Sequence, residues 1–143
     1  MPYRYRDDIA TADAAFDVEA PTLEDLFRDA ADAALGVLVE EPSSVKPRRA
    51  KLLRAEAETL DLLLFQVLEE LVYYKDAERL LLRLERVEIR EGEGGFAAAA
   101  EARGEEIDPS RHALLTDVKA VTLHRLRLER SDRGWEATVV LDI

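Results

Sequence analysis

Apolar residues recur at intervals of three and four in two stretches of the chain, a spacing typical of one face of an α-helix. The first predicted helix begins after Thr22, which can cap it, and ends before Pro42. Its apolar face consists of Leu23, Leu26, Phe27, Ala30, Ala31, Ala34, Leu35 and Leu38. The second predicted helix spans residues 60 to about 75, and its wide stripe indicates deep burial. That stripe consists of Leu60, Leu63, Leu64, Val67, Leu68, Leu71 and Val72, widened by Leu62 and Phe65.

Most of the remaining apolar residues alternate with polar ones, which is typical of strands with one buried face. Two antiparallel hairpins are predicted, in which segment 79–91 pairs with 95–103 and segment 116–129 pairs with 134–142. Every other residue of the second hairpin shares a face: Val118, Ala120, Thr122, His124, Leu126 and Leu128 in one strand, and Trp135, Ala137, Val139, Leu141 and Ile143 in the other. Three further strands are predicted, over 3–8, 13–19 and 47–57.

Two helices with one apolar face each, together with mostly antiparallel strands, predict an α+β fold in which the helices pack on the sheet. The 143 residues suit one domain, spanning 1–143. A chain of this length can bury an apolar core without disulfides or a structural metal.

Charge and composition exclude several kinds of function. The chain has 31 acidic and 20 basic residues, so its net charge of −11 argues against binding nucleic acid or anionic membranes by itself. The absence of cysteine excludes disulfides and thiolate chemistry, and two histidines, His112 and His124, argue against a His-rich zinc site. There is no membrane-length apolar run and no signal-peptide pattern, so a cytoplasmic location is expected.

No phosphate-binding loop, nucleophile elbow or metalloprotease motif occurs, so the candidate functional groups are carboxylates. Asp13 lies among small residues that would leave room for a cation or for a partner's backbone; the alternative is a solvated acid beside a turn. Asp142 precedes Ile143, whose main-chain carboxylate would lie close to it, and such oxygens suit hard cations such as Ca²⁺ or Mg²⁺. The alternative is a solvated, frayed terminus, although the strand-like pattern through Ile143 favours an ordered one.

Three other features have a simpler structural interpretation beside a functional one. Lys119 would be a solvated strand lysine, and His124 would be a histidine at the core edge that makes one hydrogen bond. The segment Tyr73–Asp76 would be a helix end with one ring packed inward, or else an interaction patch.

Several motifs nevertheless resemble those of one family, the archeases, over essentially the whole chain. The segments that carry the resemblance are Thr11–Asp13, Thr22–Phe27, Gly104–Asp108, Val118–His124, Gly134–Ala137 and Leu141–Ile143. Two positions differ from the family pattern, and the second predicted helix lacks the tryptophan that the family pattern has there. Ala10 stands where the family's His-Thr-Ala-Asp motif has histidine, and Leu123 stands where the Val-Lys-Ala-Val-Thr strand continues with an aromatic residue.

The resemblance implies a function in tRNA splicing and RNA repair. Archeases activate the RtcB-type RNA ligase, promoting guanylylation of the ligase and multiple turnover, and are not enzymes themselves. By the resemblance, a divalent cation, usually calcium although magnesium or manganese is also expected to fit, would be held by Asp13, Asp142 and Ile143. Lys119 would take part with the two aspartates in ligase activation, and RNA would be contacted only indirectly.

Two alternatives remain at this stage. The chain could be a chaperone-like adaptor for tRNA-modification enzymes such as methyltransferases, which would not need Asp13 or Asp142. It could also be a small metal-dependent hydrolase built on the same acids, although no candidate general-base histidine lies near them in sequence.

Overall fold

The computed structural model describes residues 2–7 and 13–143, which form two helices and eight strands. In chain order these elements are β1 (Tyr3–Arg6), β2 (Asp13–Ala20), α1 (Leu23–Leu38), β3 (Arg49–Ala57), α2 (Leu60–Glu78), β4 (Leu80–Gly92), β5 (Gly95–Glu106), β6 (Ala120–Val121), β7 (Arg127–Ser131) and β8 (Gly134–Asp142), with a 3₁₀ turn at Pro42–Ser44. The predicted α+β class is confirmed, and each predicted strand segment except 116–129 corresponds to one observed strand.

The strands form two antiparallel sheets. The first has the order β1-β2-β8-β6, and β7 pairs with β8 farther along the same strand. The second has the order β3-β5-β4. Because β2 and β8 are neighbours, residues 13–20 near one end of the sequence lie beside residues 134–142 near the other.

Both helices contact both sheets and enclose the main apolar core with them. Helix α1 lies against β2, β8 and β4, and α2 lies against β3, β4 and β5 of one sheet and β6 and β7 of the other. The predicted inner face of β8 is confirmed, since Ala137, Val139 and Leu141 are fully buried and Trp135 and Ile143 pack against the same core.

The helix boundaries follow local hydrogen bonding. Helix α1 begins where predicted, because the Thr22 hydroxyl accepts a hydrogen bond from the N–H of Asp25 at 3.1 Å. Helix α2 extends three residues beyond the predicted end and stops at Arg79, which adopts the left-handed conformation with φ of 55°. Among the described residues, neither helix is long and apolar enough to cross a membrane.

The prediction of one strand over 116–129 is wrong. Only Ala120–Val121 and Arg127–Ser131 are strands, and both pair with β8. Between them the chain turns, because the Thr122 hydroxyl accepts a hydrogen bond from the N–H of His124 and Arg125 has φ of 55°. His124 is therefore exposed in a turn, and the prediction that it lies at the core edge is also wrong.

Candidate functional site

The two candidate carboxylates lie side by side in the first sheet. Asp13 on β2 is the direct register partner of Asp142 on β8, and both residues are half-buried. Directly paired residues project to the same face of a sheet, with Cβ atoms roughly 5 Å apart. The fold thus brings together two acids that are 129 positions apart in the sequence.

This carboxylate pair has the composition of a cation site. Within residues 2–7 and 13–143, neither carboxylate accepts a hydrogen bond from the protein or forms an ion pair. Like charges directly opposite each other destabilise a sheet, so a bound cation would relieve the repulsion between Asp13 and Asp142. The same described residues contain no cluster of three or more His, Asp or Glu side chains. The remaining ligands would therefore be main-chain oxygens and water, which hard divalent cations accept.

Ile143 directly follows β8, and its side chain is held in place. Its side chain packs against the main core, as the alternating pattern of β8 predicts. This packing holds Ile143 directly after Asp142, in agreement with the ordered end that the strand-like pattern favours.

Lys119 lies on the other side of Asp142 from Asp13. Its N–H donates a hydrogen bond to the main-chain oxygen of Asp142 at 2.8 Å, and the next residue, Ala120, is the register partner of Asp142. Lys119 is exposed, and it precedes β6 instead of lying within a long strand. The structure therefore places Asp13, Asp142, Ile143 and Lys119 at one end of the first sheet.

Residues 107–119, which we call the connecting segment, lead from β5 to β6 and end with Lys119. Its start is held by Glu105, whose buried carboxylate accepts hydrogen bonds from the N–H of Lys46 at 2.8 Å and from Nε2 of His112 at 2.9 Å. Nδ1 of His112 accepts a hydrogen bond from the N–H of Asp108, so the ring proton lies on Nε2. Burial raises the pKa of Glu105, but Arg111, Lys46 and His112 outweigh it and lower the pKa to about 2.

The middle of the connecting segment pairs with the end of α1 through main-chain hydrogen bonds. The N–H groups of Leu115 and Thr116 donate to the carbonyl oxygens of Leu38 at 2.8 Å and Val37 at 3.2 Å. These bonds satisfy two of the carbonyl groups that every helix leaves without an intrahelical partner at its C-terminal end.

The end of the connecting segment is bound by Lys75 of α2. The ammonium group lies 2.5 Å from Oδ1 of Asp117 and 2.7 Å from the main-chain oxygen of Val118. The side chain is only 5% exposed. Burial disfavours the charged form, but the hydrogen bonds to Asp117 and Asp76 outweigh it, so the pKa of Lys75 is raised above its ordinary value.

The sequence motifs do not identify Lys75 as a structural contributor to this site. The segment Tyr73–Asp76 is predicted to be a helix end with one ring packed inward, or else an interaction patch. The inward ring is confirmed, since Tyr74 packs against the core and Tyr73 is exposed. The sequence does indicate that Lys75 faces the core. It follows Leu71 by four residues and Val72 by three, so it lies on the apolar face of α2.

Comparison with known proteins identifies the family of this chain. The family model described as "Archease protein family (MTH1598/TM1083)" matches residues 3–143. The chain belongs to the archease family. It is 39% identical to the archease of Methanopyrus kandleri over 133 residues, which cover 93% of this chain and 94% of that protein. It is 36% identical to the archease of Archaeoglobus fulgidus over 143 residues, the whole of both chains.

Solved archease-family structures share the fold. The solution structure of Methanobacterium thermoautotrophicum protein 1598 superposes with a TM-score of 0.84 at 31% identity, covering 99% of both chains. The crystal structure of the Thermotoga maritima archease, described as a possible chaperone, superposes with a TM-score of 0.62 over 96% of this chain. At 19% identity this second likeness bears on the fold alone. The resemblance expected from the archease motifs is confirmed.

Proposed function

We propose that this chain is a protein cofactor that activates an RtcB-type RNA ligase by promoting guanylylation of the ligase and multiple turnover. The observation that carries the proposal is the register of the first sheet, which sets Asp13, Asp142 and Lys119 side by side on adjacent stretches of chain. These are the residues for which the archease resemblance implies a role. We place this function in tRNA splicing and RNA repair in the cytoplasm.

In this proposal Asp13, Asp142 and a main-chain oxygen of Ile143 hold a divalent cation, calcium or else magnesium or manganese. A divalent cation there would supply positive charge near the phosphates of GTP held by the ligase. The two carboxylates would orient that charge, and Lys119 adds a positive charge at the same end of the sheet. The chain itself transfers no group, so the catalyst is the ligase and not this protein.

A protein partner fits the surface better than RNA does. The net charge of −11 repels phosphates but complements a basic, RNA-binding enzyme. Three exposed leucines, Leu114, Leu115 and Leu123, lie within five residues of Lys119 along the chain. Contiguous exposed apolar surface is typical of protein-binding sites, and in this proposal the three leucines contribute to one.

An adaptor role for tRNA-modification enzymes is the second candidate. The same exposed leucines favour it, and the Thermotoga maritima relative is described as a possible chaperone. The two proposals differ at the carboxylates, because an adaptor gains nothing from two acids paired across β2 and β8.

The test is guanylylation of the host's own RtcB-type ligase with labelled GTP, in the presence of this protein or its variants. We expect Asp13→Asn and Asp142→Asn each to reduce the stimulated rate at least tenfold. The matched control is Asp132→Asn, which removes one negative charge from the exposed turn at the other end of β8. Full stimulation by both site variants would refute the role of the carboxylates, and no stimulation by the unmodified protein would refute the function.

A further inference from the structure

Lys75 is an unusual residue to find inside a protein. Lysine is rarely buried unless it is paired, because removing an ammonium group from water is costly. Here the ammonium has three acceptors for its three N–H groups: Oδ1 of Asp117 at 2.5 Å, the oxygen of Val118 at 2.7 Å and Oδ1 of Asp76 at 2.6 Å. Two of these acceptors belong to the end of the connecting segment.

One of the acceptors connects Lys75 directly to the candidate site. The carbonyl of Val118 and the N–H of Lys119 are the two ends of a single peptide unit, which is planar. Lys75 binds the carbonyl end of this unit, and the main-chain oxygen of Asp142 binds the N–H end at 2.8 Å. The peptide unit between Val118 and Lys119 is therefore held at both ends, by α2 at its carbonyl and by β8 at its N–H.

Few other contacts of the neighbouring residues restrain the orientation of this peptide unit. Val118 is buried and anchors its own side chain, but Asp117 and Lys119 on either side are exposed. The strand that begins next, β6, has only two residues. Without Lys75 the orientation of the Val118–Lys119 peptide would rest on one hydrogen bond and one side chain.

We propose that Lys75 is a positioning residue, which fixes the Val118–Lys119 peptide and so holds Lys119 beside the paired carboxylates of Asp13 and Asp142. The consequence for activation rests on the proposed function. The consequence for the order of the main chain does not, because it follows from the two hydrogen bonds of one peptide. A positively charged donor also polarises the peptide and strengthens the bond from Lys119 to Asp142.

The first experiment measures ligase guanylylation in a double-mutant cycle of Lys75→Met and Lys119→Ala. We expect Lys75→Met alone to reduce stimulation about as much as Lys119→Ala does, and to cause no further reduction when Lys119 is already alanine. The matched control is Lys51→Met, which removes a lysine paired with Glu78 away from the connecting segment and should leave stimulation unchanged. Equal fold losses from Lys75→Met in both backgrounds would overturn the proposal, because Lys75 would then act independently of Lys119.

The second experiment measures amide hydrogen exchange by NMR and needs no ligase. In Lys75→Met the N–H of Lys119 should exchange at least tenfold faster, while the N–H groups between β4 and β5 keep their rates. An unchanged rate at Lys119 would overturn the proposal even if the protein activates the ligase. Should Lys75→Met fail to fold, Lys75→Gln replaces it in both experiments, since its shorter, uncharged side chain weakens the contact with the Val118 carbonyl.

Discussion

Single buried ionisable side chains attach the connecting segment to the rest of the fold. Glu105 binds its start and Lys75 binds its end, and each has charged or polar partners that offset the cost of burial. Removing one partner of such a group leaves the other without compensation, so substitutions at these positions should cost more than those at surface ion pairs.

The pKa of Glu105 predicts an acid-dependent loss of stability. The folded protein lowers this pKa from its ordinary value of 4.5 to about 2. The ionised carboxylate therefore stabilises the fold above about pH 4.5, and this contribution is lost as the pH falls toward 2. We expect Glu105→Gln to destabilise the protein by about 2 kcal/mol at pH 7. It should also show a smaller decrease in unfolding free energy between pH 4.5 and pH 2, as measured by denaturant titration.

The neighbouring acid on the same strand is the control for this effect. Glu106 is exposed, so Glu106→Gln should leave both the stability at pH 7 and its decrease in acid close to those of the unmodified protein. If Glu105→Gln showed the same decrease in acid as the unmodified protein, the titration of other carboxylates would account for it, and Glu105 would not anchor the connecting segment.

The residues of the candidate site differ in how far the sequence could predict them. Asp13, Asp142 and Lys119 follow from archease-like motifs, but no motif shows that the first two are register partners, because pairing between distant strands depends on the whole fold. Lys75 illustrates the opposite case. Its place on an apolar stripe is visible in the sequence. Two of its three acceptors, however, lie 42 and 43 residues away, in Asp117 and Val118, and become apparent only when the connecting segment is folded.

Helix beginnings are the elements that local sequence predicted best. Thr22 and Thr59 both occupy the residue before a helix, but only the Thr22 hydroxyl accepts a hydrogen bond from a helix N–H. We expect Thr22→Ala to lower the free energy of unfolding by about 1 kcal/mol. Thr59→Ala should cost less than half as much, because its hydroxyl donates to the Asp61 carboxylate and caps no backbone group. Equal losses in a denaturant titration would contradict this assignment of the caps.

The strand over 116–129 shows where prediction from alternation fails. Its apolar residues alternate for several positions, but Val118 and Val121 are both buried although an odd number of positions separates them. The turn at Thr122–Arg125 interrupts the strand and lets two short strands pair with different parts of β8. This turn is produced by the hydrogen bond that the Thr122 hydroxyl accepts from the N–H of His124 and by the left-handed conformation of Arg125. A binary pattern of polar and apolar residues contains neither.

At the scale of the whole molecule, the acidic charge has a general effect and a local one. A net charge of −11 makes the folded chain repel itself, and any salt reduces that repulsion. The pair of Asp13 and Asp142 adds a local repulsion across β2 and β8 that a bound divalent cation would reverse. Comparing CaCl₂ with NaCl at equal ionic strength separates the two effects.

We therefore predict that Asp13→Asn changes the thermal stability in opposite directions with and without calcium. In NaCl with a chelator the variant should be more stable than the unmodified protein by up to about 1 kcal/mol, because one of two facing charges is gone. In CaCl₂ the unmodified protein should become the more stable of the two, since a ligand that binds only the folded state raises the melting temperature. Asp132→Asn, in the exposed turn, should respond to the two salts as the unmodified protein does. Parallel responses of Asp13→Asn and the unmodified protein would mean that the paired carboxylates bind no calcium, whatever their geometry.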